Sequence, residues 1–132
     1  MIICFLQSFF LLQMKFYVRN NEDRPIDSIT VEVEFLGKLT YLTECEKHLT
    51  EDKVYIYTFE GINPQCLGDL MNVTILVGGS PVGHKDAVIT GYSVKENLIN
   101  AYNITNDANM KQLIIDTLEY GAAAQVYRNY KT

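Results

Sequence analysis

The sequence predicts a β-rich α+β fold: an antiparallel β-sandwich followed by a C-terminal αα-hairpin. Three observations carry this. Residues 28–35, "SITVEVEF", set Val31, Val33 and Phe35 on one side and Thr30, Glu32 and Glu34 on the other. Alternation of that kind marks a strand with one buried and one wet face. Turn-forming residues then recur every 10 to 20 residues or so, a spacing that suits an antiparallel sandwich or a meander; the fold expected is an immunoglobulin-like sandwich of five to seven strands. Near Tyr92 the hydrophobic period changes from two to about 3.6, which starts the helical part.

In chain order, "MKFYVRN" (14–20) reads as a strand and "NEDRP" (21–25) as a turn. After the 28–35 strand, Gly37-Lys38 turns the chain into "LTYLTEC" (39–45). "KVYIYTF" (53–59) is the next strand, and "EGINPQCLGD" (60–69) is a loop punctuated by Gly61, Pro64 and Gly68. "MNVTILV" (71–77) is a strand, "GGSPVG" (78–83) a hairpin turn, and Ala87–Thr90 the core of the last strand. Ser93 with Glu96 three residues on forms a capping box for a helix over 93–103. Thr105 or Asn106 caps a second helix over 107–129, with Asp107 favourably placed for its dipole. Met110, Leu113, Ile114, Leu118, Gly121 and Ala124 follow helical steps and predict its buried stripe.

Gly121 is informative because a mid-helix glycine costs about 1 kcal/mol relative to alanine. The compensation expected is close approach of Gly121 and Ala124 to the first helix or to the sheet. Tyr120, Tyr127 and Tyr130 then flank that contact.

The chain of 132 residues fits one domain. Residues 1–13 form an apolar extension and residues 14–132 the domain, with 14–91 the sandwich and 92–132 the hairpin. The run from Met1 to Met14 leaves three readings open: a first strand with an apolar extension, a displaced start before a domain of a larger protein, or a signal or anchor. It falls short of the roughly 20 apolar residues of a membrane span, and no basic residue or small-x-small site marks it as a signal peptide. The net charge of −5 with 11 basic residues scattered along the chain argues against nucleic acid as partner.

The residue types that could carry chemistry are sparse. Cys4, Cys45 and Cys66 are odd in number and lack ligand spacing. They read as thiols without an intramolecular disulfide, with a Cys45–Cys66 bridge the sharper alternative. His48 and His84 read as solvated histidines. Glu32 and Glu34 share a strand face, where such a pair is ordinarily the wet side of a sheet. A hydrolase using both is the distant alternative. "GGSPVGHK" lacks the ending of a phosphate loop, and Asp107, Asn109 and Asp116 lack the spacing of a calcium loop. The nine tyrosines, without a tryptophan, read as core or boundary packing; stacking faces for a ligand at Tyr55 with Tyr57, or at Tyr120, Tyr127 and Tyr130, are the sharper alternative. No catalytic residue, cofactor site or metal site is expected.

Two blocks of sequence resemble a C-terminal module of large surface and secreted proteins of Gram-positive gut anaerobes. The helical block is carried by Tyr92, Ser93, Val94, Lys95 and Glu96, then by Leu118, Tyr120, Gly121, Ala122, Ala123, Ala124, Gln125, Tyr127, Asn129 and Tyr130. The looser strand block is carried by Phe59, Gly61, Ile62, Pro64, Leu67 and Asp69. The resemblance covers about 115 residues from Met14 onward, and residues 1–13 depart from it. It implies a non-catalytic extracellular or cell-envelope module for display, spacing or adhesion, whose partners are neighbouring domains of a parent surface protein. A glycan-binding module using exposed tyrosines is the alternative.

Overall fold

Alternation in the strand sequences sorts their side chains onto two inner faces, and those faces meet. The computed structural model describes residues 3–8, 13–83 and 85–127; side chains of 3–8, Asp86 and Tyr127 are outside that description. The strands are β1 (Ile3–Ser8), β2 (Gln13–Arg19), β3 (Ile29–Phe35), β4 (Lys38–Leu42), β5 (Glu46–Lys47), β6 (Val54–Phe59), β7 (Met71–Val77), β8 (Ser80–Pro81) and β9 (Val88–Tyr92). One antiparallel sheet has the order β1-β2-β6-β5 and the other β4-β3-β7-β8, with β9 also paired to β7. Two helices follow, α1 (Val94–Ile104) and α2 (Ala108–Tyr127). The chain is thus β-rich, with two antiparallel sheets and a C-terminal helical pair. The nine described strands exceed the expected five to seven because β5 and β8 hold two residues each and β1 extends the first sheet.

Met14, Phe16 and Val18 of β2 lie opposite Phe59, Tyr57 and Tyr55 of β6 and build one inner face. Val31 and Val33 of β3 lie opposite Ile75 and Val73 of β7 and build the other. Most of these side chains are fully buried. Phe35 meets Phe59 edge to face across the gap, with ring centroids 5.8 Å apart. One core therefore holds the two sheets together. Where β7 meets β9 the register slips between Met71 and Val73. Asn72 fills that irregularity: its Oδ1 accepts from the Gly91 N–H at 2.9 Å and its Nδ2 donates to Glu34 at 3.0 Å.

The hairpin between β3 and β4 turns on Leu36-Gly37, one residue earlier than the sequence suggests. Both residues have positive φ, 53° and 75°, as a type I′ turn requires. Leucine is poorly suited to that region because its Cβ crowds the backbone. Leu36 is also 57% exposed, so little burial depends on it. Leu36→Asn supplies the favoured Asn-Gly pair and is expected to stabilise the protein by up to about 1 kcal/mol. Thermal unfolding checks this: a melting temperature at or below that of wild type would count against the assignment of strain to this turn.

The helices are set by their caps. Ser93 Oγ accepts from the Glu96 N–H at 3.1 Å, as the capping-box spacing predicts. For α2 the cap is Asp107 rather than Thr105 or Asn106: its Oδ1 accepts from Asn109 N and Met110 N at 2.9 and 3.3 Å. Lys111 crosses to α1 and places its ammonium 4.9 Å from the Tyr102 ring centroid.

The buried stripe of α2 is rotated from the expected one. Ile114 and Gly121 are buried and Leu118 and Ala124 half-buried, whereas Met110 and Leu113 are exposed. The neighbour of Gly121 also differs. It is neither α1 nor a sheet but the short 3-10 turn Pro64–Cys66 with the adjoining Leu67. A Cβ on Gly121 would stand 3.0 Å from the Pro64 carbonyl oxygen and 2.5 Å from Leu67 Cδ1. Gln125 Nε2 donates to the Gln65 carbonyl at 3.1 Å one turn further on. From the other side, the Lys95 N–H donates to the Leu67 carbonyl at 2.8 Å. The 60–69 loop is thereby clamped between the starts and ends of the two helices.

Candidate functional site

Two concavities follow from how β4 hands the chain over to the first sheet. β5 pairs with β6 only at Tyr55 and Ile56, so the margin of β6 beyond them is uncovered. β4 ends the second sheet on the same side. Two hollows run along this margin. One, of about 480 Å³, is lined by residues 41–46 with Ile56, Thr58 and Glu60. The other, of about 570 Å³, shares Leu42, Thr58 and Glu60 and extends past Phe35, Lys38 and Cys66.

The first hollow gathers the carboxylates Glu44, Glu46 and Glu60 beside Cys45. It offers no imidazole to serve as a base and no cation to hold an oxyanion. Among the described residues no group of three His, Cys, Asp or Glu side chains is arranged to hold a metal ion. The margin is a surface of backbone edge and acidic side chains with the Cys45 thiol among them.

Tyr57 lies just beneath it, fully buried. Its hydroxyl donates to the Ile29 carbonyl across the two sheets at 3.4 Å. Burial raises its pKa far above the ordinary tyrosine range, and a hydrogen bond and charge interaction with Cys45 add to the effect. No disulfide joins Cys45 to Cys66: Cys45 is a half-buried thiol beside Tyr57, and Cys66 is buried in the core.

The other sequence-level candidates do not converge. Glu32 and Glu34 lie on the outer face of β3. Glu32 borders a shallow depression with Tyr41, Leu76 and Pro81, while Glu34 is engaged by Asn72. His48 organises a turn: its Nδ1 accepts from Glu51 N at 2.9 Å and Thr50 N at 3.2 Å, and its ring meets Tyr17 edge-on. His48 is therefore half-buried and engaged rather than simply solvated. His84 and Tyr130 lie outside the described residues, as do the side chains of Cys4 and Tyr127.

Of the tyrosine faces, the first packs inward as plain packing predicts, and the second is only partly described. Tyr55 and Tyr57 point into the core, because their strand partners Val18 and Phe16 do. Tyr120 is 63% exposed on α2. Tyr41, not singled out by the sequence, is 52% exposed on the outer face of β4. The signal for Tyr41 was its position two residues from Leu39 in a strand that ends a sheet, a place that only the topology reveals.

No protein-family model, curated protein or solved structure matches the chain. Among the described residues no helix is long and apolar enough to cross a membrane.

Proposed function

We propose that the chain is a non-catalytic extracellular module for display, spacing or adhesion within a bacterial surface protein, built as an immunoglobulin-like sandwich with a helical hairpin. One observation carries the reading. Residues shared with the surface-protein module, one set from each block, meet one another. Gly121 seats on Pro64 and Leu67, and Gln125 donates to the Gln65 carbonyl. Signature positions from both blocks are thus spent on a structural joint, and a joint of that kind suits a module selected for stability and reuse.

Cell fractionation with protease shaving of intact cells tests the location: the native product should be cut from the surface, and confinement to the cytosol would refute an extracellular role. Glycan arrays and polysaccharide pull-downs with the full chain test the alternative. Among the described residues the inward-facing Tyr55 and Tyr57 leave Tyr41 and Tyr120 exposed, on separate elements, and no saturable glycan binding is expected. Saturable binding abolished by Tyr41→Ala or Tyr120→Ala, with the melting temperature unchanged, would replace the display reading with a glycan-binding one.

A further inference from the structure

We propose that the free edge of β4 is a self-pairing surface that joins two copies of this chain about a two-fold axis into one continuous sheet. β4 stands at the end of its sheet, beside β3. The two-residue turn at Leu36-Gly37 closes with Phe35 and Lys38 as a hydrogen-bonded pair. Alternation then directs the backbone groups of Lys38, Thr40 and Leu42 toward β3 and those of Leu39 and Tyr41 away from it. Edge strands ordinarily carry protection: charged side chains, lysine above all, a proline, a bulge, brevity or an inward charge; of these β4 has one lysine, Lys38, at its first position. β4 is five residues long, contains no proline, and keeps unbroken register with β3. Its outer face presents Leu39, 48% exposed, and Tyr41.

The sequence of this edge complements itself. With the two-fold axis at Tyr41, an antiparallel second copy sets Tyr41 opposite Tyr41 and Leu39 opposite Thr43. Thr40 then faces Leu42, and Lys38 faces Glu44. The outward backbone groups of Leu39 and Tyr41 meet partners in this register. The two Tyr41 rings become a cross-strand aromatic pair. Lys38 and Glu44 pair twice, once at each end. Among the described residues neither enters an ion pair within its own chain, so both charges are available. Lys38 lines one of the hollows along the margin and Glu44 the other, while Glu60 lines both.

This charge arrangement selects a second copy over a basic peptide. Glu44, Glu46 and Glu60 alone would favour a Lys- or Arg-rich strand, but Lys38 at the leading end would repel it. The same lysine is what the second copy's Glu44 meets.

Sedimentation velocity of the full chain, from low micromolar to several hundred micromolar, tests the proposal. Wild type is expected to shift from monomer to dimer over this range. Tyr41→Lys, which brings two ammonium groups together at the axis, is expected to stay monomeric. Lys38→Glu and Glu44→Lys should each weaken association about ten-fold, since every reversal acts at both ends of the pairing. The double swap Lys38→Glu with Glu44→Lys should restore it. Circular dichroism checks that each variant is folded, and if Tyr41→Lys fails to fold the charge swap still decides. A wild-type chain that stays monomeric throughout overturns the proposal, as it would if a basic peptide were the true occupant. A dimer indifferent to Tyr41→Lys or to the charge reversals overturns it as well.

Discussion

Replacing Gly121 with leucine is expected to lower stability by about 1 to 3 kcal/mol through overpacking. The reason is the nature of the nearest atoms. The Cβ of any residue there would approach Leu67 Cδ1 at 2.5 Å and the Pro64 carbonyl oxygen at 3.0 Å. Leu67 is itself buried and has little room to turn away. Pro64 is backbone in a 3-10 turn that also accepts from Gln125 through the neighbouring Gln65 carbonyl. Moving it would loosen the clamp on the whole 60–69 loop. Gly121→Ala sharpens the test, because helix propensity alone would make it stabilising by about 1 kcal/mol. The contact is expected to cancel that gain or reverse it. Ala122→Leu, at an exposed position of the same helix, is the control and should change stability by less than about 0.5 kcal/mol. Chemical denaturation of the three variants measures this. A Gly121→Leu protein as stable as wild type would refute the close-packing account of the glycine.

Much of the scaffold was legible because alternation and capping are local. "SITVEVEF" gave β3 its inner and outer faces, and the bounds of β7 match the apolar run 71–77. Ser93 capped α1 as its spacing required. The failures lie where the deciding neighbour is distant in sequence. On α2, apolar residues wrap more than one face, so periodicity could not choose between Met110 with Leu113 and the Ile114–Gly121 stripe. The loop at Pro64–Leu67 made that choice. In β6 the plain-packing reading of Tyr55 and Tyr57 holds, but "VYIYTF" has large side chains on both faces and nothing local fixes which face is the inner one. Their pairing with Val18 and Phe16 does. The acidic margin was equally hidden, since Glu44, Glu46 and Glu60 come together only because β5 leaves part of β6 uncovered.

Above about pH 10, the ordinary tyrosine pKa, stability is expected to fall in a way that depends on Tyr57. Its hydroxyl is buried between the sheets and donates to the Ile29 carbonyl, so the folded state holds it neutral. Burial is the main cause of its raised pKa, followed by the interactions with Cys45. In the unfolded chain the same group titrates near the ordinary tyrosine value of 10.0. The raised folded pKa means that the unfolded state loses the proton first. Below pH 10 the contribution is fully present; above it, stability drops by up to about 1.4 kcal/mol per pH unit until the folded group also ionises. Tyr57→Phe removes the hydroxyl and with it this dependence. At neutral pH the variant should be less stable by about 0.5 to 1.5 kcal/mol, the worth of a hydrogen bond. As pH rises past 10 the gap should close and then invert, because only wild type carries the penalty. Urea unfolding of both proteins between about pH 8 and about pH 11 gives the difference curve, in which the other tyrosines and lysines cancel. A constant difference across that range would show that the Tyr57 hydroxyl is not held neutral by the fold.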